Sequence, residues 1–180
     1  VRYWNGSSWV SLDSTDREIE NSAGQPSLAK GKAFGNNLYV AWNEYDYFDA
    51  FGNDPLTRHN VYVSYWNGSS WAPVGGALDR QIGRNTSSPS LALSAPETPV
   101  AAWAECFSAS VPWDACTNYN IFVKRWNGSS WVNVGNALDK VLTNNATEPS
   151  LAIGSDGLPV VAWQENGGAS GIYPPDQATD

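Results

Sequence analysis

The chain has 180 residues, of which 42% are hydrophobic, 13% aromatic and only 16% charged, so it carries enough apolar side chains for a packed core and does not read as a disordered segment. Its formal net charge of -8 and its pI near 4.5 oppose the phosphate contacts by which proteins hold nucleic acid, and they disfavour anionic membranes. We therefore expect neither nucleic acid nor a membrane as a partner.

The first element along the chain is a hexapeptide, W-N-G-S-S-W, which begins at Trp4 and returns at Trp66 and Trp126. Asn-Gly between strand-forming residues is a strong signal for a β-hairpin, because both residues tolerate positive φ. A two-residue turn at Asn-Gly would pair Trp126 with Ser129 and Lys124 with Trp131. Trp126 and Trp131 would then lie on one face as diagonal neighbours.

The next element is a P-S-L-A motif that leads into an apolar stretch ending in Trp-x-Glu. It begins at Pro26, Pro89 and Pro149, and the stretches end at Trp42/Glu44, Trp103/Glu105 and Trp163/Glu165. A shared period of about 60 residues is typical of solenoids and propellers. Each repeat has four short strand-like stretches and no helical apolar period, which predicts an all-β fold.

Sheets that carry tryptophan on both faces must stack on one another to leave water, and radial stacking of four-stranded sheets is a β-propeller. We predict four-stranded antiparallel blades, three per chain, at residues 25–76, at 88–136, and in a blade split between 1–24 and 149–173. Every tryptophan except Trp113 is expected to pack between blades.

The two ends of the chain look complementary, because Val1 to Val10 would supply the last two strands of a blade and Pro149 to Glu165 the first two. Three blades are too few to close a ring. We expect two chains to form a six-bladed homodimer in which each donates its N-terminal hairpin to its partner's last blade. The rival interpretation is that the chain is a piece of a longer protein with more blades.

The first repeat contains an insertion from Tyr45 to Asn60, on the face where the connections between blades also open. Binding residues favour such loops on a rigid scaffold. The candidate ligand-binding residues here are Tyr45, Asp46, Tyr47 and Asp49. Calcium is the one cofactor considered, with Asp46, Asp49 and Asp54 as oxygen ligands; solvated loop carboxylates are the alternative.

The second repeat contains an insertion that holds Cys106, Cys116 and Trp113. We predict a Cys106–Cys116 disulfide in an oxidising compartment, which implies a secreted protein; two free thiols in a cytosolic protein are the alternative. Trp113 is the one tryptophan outside the repeats. It is a candidate for stacking on a sugar ring or a partner side chain, or else a cap on the blade.

Two acidic sets recur in all three repeats. Glu44, Glu105 and Glu165 end the second strands, and are candidates either for ligand binding at a channel rim or for ion pairs with a neighbouring blade. Asp16, Asp79 and Asp139 precede each P-S-L-A motif. Since a residue needed once for catalysis does not recur in every blade, we expect these aspartates to order the connecting loops by accepting hydrogen bonds from backbone amides.

Together, P-S-L-A, V-A-W-x-E and W-N-G-S-S-W resemble the secreted bacterial propeller repeats of the kelch-like and sialidase-like sort over nearly the whole chain. The hairpins are also similar to those of six-bladed fucose-binding lectins. The resemblance implies a secreted propeller with a carbohydrate-binding role. The chain has only six arginines, and we expect no arginine cluster of the kind with which sialidases grip a carboxylate.

The sequence therefore predicts an extracellular, non-enzymatic binding module that recognises carbohydrate through loops on one propeller face. One alternative is a structural or protein-interaction scaffold from a larger secreted protein. Another is a carboxylate-based glycosidase, which would need two carboxylates in the loops.

Overall fold

The computed structural model describes residues 1–15, 23–31, 37–46, 58–80, 84–107, 116 and 118–166. These residues form β1 (Arg2–Trp4), β2 (Trp9–Ser11), β3 (Ala23–Lys30), β4 (Leu38–Asp46), β5 (Arg58–Trp66), β6 (Trp71–Pro73), β7 (Thr86–Ser94), β8 (Thr98–Cys106), β9 (Tyr119–Trp126), β10 (Trp131–Asn133), β11 (Asn145–Ile153) and β12 (Pro159–Asn166).

The strands form two four-stranded antiparallel sheets, β3-β4-β5-β6 and β7-β8-β9-β10, and two two-stranded sheets, β1-β2 and β11-β12. The described residues contain no helix, so the all-β prediction is confirmed, and the four-stranded sheets fit a β-propeller. In this part of the chain there is accordingly no helix able to cross a membrane.

The hairpins are two residues out of the predicted register. Trp126 lies directly opposite Trp131, with ring centroids 5.6 Å apart in an edge-to-face arrangement, so the predicted pairs with Ser129 and Lys124 are wrong. The reason is the side chain of Asn127, whose Oδ1 accepts hydrogen bonds from the amides of Ser129 and Ser130. Capping both amides makes a four-residue loop, and the same bonds recur in the other two hairpins. The two tryptophans do share one face, as predicted.

The largest core lies between the two four-stranded sheets. Trp103 of β8 is fully buried there, in a cluster with Ala41 and Val63 of the neighbouring sheet. Burial of one such indole contributes about 3 kcal/mol. The stacking of sheet on sheet that the tryptophan repeats predicted is therefore present.

The P-S-L-A serines link the first strands of successive sheets. Ser27 Oγ accepts a hydrogen bond from the Leu91 amide, and Ser90 Oγ accepts one from the Leu151 amide, each at 2.9 Å. The same donor and acceptor positions meet at both junctions, so the sheets that contain β3, β7 and β11 are joined in the same way.

The tryptophans of the repeats are not all buried between sheets as expected: those of the second strands in the four-stranded sheets are, but those of the first hairpin are not. Trp42 and Trp103 are 3% and 0% exposed, but Trp4 and Trp9 are 53% and 65% exposed. The physical reason is position: β1 and β2 form a two-stranded sheet at one end of the stack, and among the described residues no further sheet covers the Trp4–Trp9 pair.

Candidate functional site

The three glutamates that end the second strands share one set of contacts. Each accepts a hydrogen bond from the indole Nε1 of the tryptophan two residues earlier, at 2.7 Å for Glu44, 3.1 Å for Glu105 and 3.2 Å for Glu165. Alternation along a strand puts residues i and i+2 on one face, which explains why Trp-x-Glu makes this bond.

Glu105 and Glu165 also bind the loop that enters their own sheet. Glu105 Oε2 accepts from the Arg80 amide at 2.7 Å, and Glu165 accepts from the Lys140 and Val141 amides at 2.9 Å. The pKa of Glu165 is lowered, most strongly by the hydrogen bond from the Lys140 amide and less strongly by the other amide and side-chain donors. These carboxylates therefore fix the path of the connecting loops, and Glu105 is 1% exposed.

Asp139 holds a neighbouring strand in a similar way. Its Oδ1 accepts a hydrogen bond from the Ile121 amide at 2.8 Å, which confirms the predicted loop-ordering role for this residue. Burial raises the pKa of Asp139, although the same backbone bond acts against that shift. Asp16, in the first repeat, lies outside the described residues.

The base of the second insertion is closed by two links. Cys106 and Cys116 form the predicted disulfide, and the Phe107 amide donates to the Asn118 carbonyl at 2.8 Å. The disulfide fits an oxidising compartment. Phe107, 48% exposed, is held at the mouth of this stapled loop.

A pocket of about 370 Å³ opens where the β6–β7 loop meets the base of this insertion. The polar side of its lining is formed by Arg80, Arg84, Glu105, Asn120 and Asn136, and the apolar side by Phe107, Phe122, Ala137 and Leu142. The loop that enters this sheet, the insertion between its second and third strands and the loop that leaves it thus meet at one site, on the face that the insertions were predicted to share.

Both arginines in this pocket lie on aromatic rings. The guanidinium carbon of Arg80 is 5.0 Å from the ring centroid of Phe122, and that of Arg84 is 5.7 Å from the centroid of Phe107. Contacts of this length are attractive and restrict the guanidinium groups. The pocket therefore presents two oriented cations, although the chain as a whole has a net charge of -8.

The hydrogen-bond donors of these arginines are incompletely used. Arg84 Nη1 reaches the Cys106 carbonyl only at 3.5 Å, and Arg80 Nη2 reaches Asn136 Oδ1 at 3.4 Å. Within the described part of the chain, the buried Arg84 Nε has no acceptor. A buried N–H without a partner is costly, so the site favours a ligand that brings acceptor oxygens.

The two arginines were not among the predicted site residues. Arg80 belongs to an Asp-Arg/Lys element that recurs as Asp16-Arg17 and Asp139-Lys140, whereas Arg84 lies outside the repeat motifs and has Asn144 at its equivalent position. The one available signal was their spacing of four residues inside a connecting loop.

Among the predicted ligand-binding residues of the first insertion, the structure describes the side chain of Tyr45. Its ring lies 5.2 Å from the ring of His59, whose amide donates to Asn85 Oδ1 at 3.0 Å. Asn85 follows Arg84 directly, so His59 links Tyr45 to the β6–β7 loop. Tyr47, Asp49, Asp54, Trp113 and the side chain of Asp46 lie outside the described residues. In the described part of the chain no three acidic, histidine or cysteine side chains group to hold a metal ion.

A scan against protein-family models found no match, and a search of curated proteins found none either. Among solved structures, the chain is similar to one described as a polysaccharide lyase of a new family, PL25 ulvan lyase, with a TM-score of 0.55 and 17% sequence identity over 90% of this chain. A structure of the ulvan lyase bound to -[GlcA(1-4)Rha3S]- matches equally well. The match covers 44% of the ulvan lyase chain. At this identity the likeness shows that the fold of the two proteins is shared.

Proposed function

We propose that this protein is an extracellular carbohydrate-binding module, and that its pocket at Arg80 and Arg84 binds an acidic polysaccharide. The observation that carries the proposal is the pair of guanidinium groups held on two phenylalanine rings beside an exposed apolar surface. Arginine binds carboxylate and sulfate groups through paired N–H donors. The ring of Phe107 supplies the flat apolar surface on which a sugar ring stacks.

The charge distribution supports an anionic ligand over a neutral one. The net charge of -8 repels a polyanion at long range. The pocket differs from this overall charge, because it holds two arginines and its one glutamate is buried and hydrogen-bonded to the Arg80 amide and the Trp103 indole. Exposed cations contribute little to the stability of a fold, and Arg80 is exposed, so stabilisation does not account for this pocket. A role in ligand binding accounts for it.

The fold comparison adds support from a separate direction. One structure of the ulvan lyase with which this chain shares its fold is bound to -[GlcA(1-4)Rha3S]-, which joins glucuronic acid to a sulfated rhamnose. Both sugars carry the kind of anionic group that a guanidinium pair binds. For this chain the acidic ligand remains our proposal.

We extend the proposal to the two insertions and the assembly. Tyr45, Tyr47, Asp46, Asp49 and Trp113 would enlarge the binding face beyond the pocket, whereas Glu44, Glu105 and Glu165 would position loops for it. The stacked sheets would form a secreted β-propeller with three blades per chain and six in a homodimer.

The two alternative functions have less support. A carboxylate-based glycosidase would need two available carboxylates, and Glu105 is buried and bonded to the Arg80 amide and the Trp103 indole. A protein-interaction scaffold gives no reason for paired guanidinium groups in a cavity.

Calorimetric titration with three polymers tests the proposal: a sulfated glucuronic acid polymer, its carboxyl-reduced and desulfated form, and a neutral glucan. We expect binding to the acidic polymer, at least about tenfold weaker binding to the other two, and loss of the difference at high salt. Equal binding to all three would overturn the acidic ligand, and binding to none would overturn the carbohydrate function. Release of an unsaturated uronyl product, seen by ultraviolet absorbance, would identify an enzyme instead.

A further inference from the structure

We propose that Lys140 forms a second cationic subsite beside the pocket at Arg80 and Arg84, and that the ligand is therefore a linear acidic polysaccharide that extends across two successive sheets. This inference rests on the proposed function, because it describes how far the ligand reaches beyond the pocket. It is drawn from a basic residue that recurs at one position of the repeat, and from a loop that Lys140 and the pocket share.

Arg80 and Lys140 occupy equivalent positions in successive repeats. Each is the basic member of an Asp-Arg/Lys element. The Arg80 amide donates to Glu105 Oε2 at 2.7 Å, and the Lys140 amide donates to Glu165 Oε2 at 2.9 Å. Since the same main-chain bond fixes both residues, their side chains leave the two sheets from equivalent points, on the face that carries the insertions.

The β10–β11 loop joins Lys140 to the pocket. This loop contributes Asn136 and Leu142 to the pocket lining, and Asn136 Oδ1 accepts a hydrogen bond from Arg80 Nη2 at 3.4 Å. Leu142 is two residues from Lys140 along the chain, a separation that spans at most about 7 Å. A ligand that leaves the pocket along this wall therefore reaches Lys140 next.

Glu165 holds the Lys140 end of this loop in place. Its Oε1 accepts from the Val141 amide and from Asn144 Nδ2, and its Oε2 accepts from the Lys140 amide and the Trp163 indole. Hydrogen bonds of this kind stabilise a carboxylate charge. Four donors thus offset the charge of the carboxylate beside Lys140, which reduces its repulsion of an anionic ligand.

The ammonium group of Lys140 is available to a ligand. Lys140 is exposed, and within the part of the chain that the structure describes its side chain makes no hydrogen bond or ion pair. Arg80 belongs to a junction with a sheet whose four strands are all described, and it too is exposed, with the 3.4 Å contact to Asn136 as its side-chain hydrogen bond. Both basic side chains therefore keep N–H donors for a carboxylate or sulfate group.

An apolar side chain accompanies these cations on the shared loop. Leu142 lines the pocket and is 49% exposed, as is Phe107 at 48% on the opposite wall of the lining. Apolar side chains of this kind pack against the C–H faces of sugar rings. An acidic polysaccharide carries such faces and acidic groups in alternation along its length, so we expect a short oligosaccharide to occupy the pocket alone and a longer one to contact Lys140 as well.

Calorimetric titration with size-defined oligosaccharides of a sulfated glucuronic acid polymer, from disaccharide to octasaccharide, tests this extension. In the unmodified chain we expect the affinity to rise with length by about tenfold or more, because the second subsite is reached by a tethered group. The rise should shrink by about threefold or more in Lys140→Gln and return in Lys140→Arg, which keeps the charge. Both variants retain the bond to Glu165, because it is made by the main chain.

Lys30→Gln is the matched control, since it changes the net charge as Lys140→Gln does. Lys30 is exposed and ends β3, at the opposite end of the strands from the insertions. A longer ligand also offers more binding registers, which raises the affinity of every variant alike, so the two variants are compared with each other. An equal loss in both, or a rise with length that Lys140→Gln leaves intact, would overturn the second subsite alone. Absence of binding at every length would overturn the pocket as well.

Discussion

The guanidinium carbon of Arg80 lies 5.0 Å from the ring centroid of Phe122, while the backbone amide of the same arginine donates to the buried carboxylate of Glu105 at 2.7 Å. One residue is thus fixed at both ends, by its main chain in the sheet junction and by its side chain in the pocket. The sheet stack therefore sets the position of the charge proposed to bind the ligand.

Glu105→Gln tests this link between fold and pocket. The change puts an amide donor beside the Arg80 amide and the Trp103 indole, both of which donate to Glu105 Oε2. We expect the free energy of unfolding to fall by about 1–3 kcal/mol, and the affinity for acidic polymer to fall with it. Urea denaturation measures the first effect. Glu148→Gln, at an exposed position, is the matched control and should change neither; an unchanged stability in Glu105→Gln would contradict the assigned role.

The only histidine predicts a pH dependence of stability. Burial lowers the pKa of His59 below its ordinary value of 6.5. The unfolded chain therefore takes up a proton near pH 6.5 while the folded chain resists it, so stability should fall as the pH drops from 6.5 toward the lowered pKa. The raised pKa of Asp139 has the opposite effect, because the folded chain binds that proton more tightly than the unfolded chain and is therefore favoured as the pH falls.

The difference in unfolding free energy between wild type and His59→Gln isolates this effect. Measured by denaturation from about pH 8 to pH 5, the difference should be constant above pH 7 and shift in favour of His59→Gln below it. A difference that is flat over the whole range would show that burial does not resist protonation of His59.

The stapled insertion predicts a change in both stability and binding. The double variant Cys106→Ser with Cys116→Ser should lose about 2–4 kcal/mol of unfolding free energy, because the unfolded chain is no longer cross-linked. It should also bind acidic polymer more weakly, since Phe107 follows Cys106 directly. Thermal denaturation and polymer titration give the two values, and intact binding by the double variant would exclude the staple from the site.

Trp113 tests whether the insertion extends the binding face. Trp113→Ala should weaken polymer binding by about tenfold, the loss expected for an aromatic platform, without a change in the melting temperature. The alternative, an indole that caps the blade, predicts the reverse pattern. Scanning calorimetry and titration of the same sample distinguish them.

The repeat motifs predicted the sheets well because they encode local chemistry. Trp103 and Glu105 bond to each other two residues apart, and the same Trp-x-Glu bond occurs in the other repeats. The hairpin register was wrong because the Asn127 side chain caps two amides, which strand propensity does not report. The pocket was missed because Arg84 and Phe107 are far apart in sequence and meet only when two loops converge.

Titration of a sulfated glucuronic acid polymer against Arg84→Gln and Arg125→Gln is the most direct test of the proposed site. The two variants change the net charge equally, but Arg125 lies exposed on β9, outside the pocket. We predict that Arg84→Gln weakens binding by about tenfold or more and reduces its salt dependence, while Arg125→Gln binds as wild type does. Equal losses in the two variants would mean that the polymer responds to overall charge, and would contradict a site at Arg80 and Arg84.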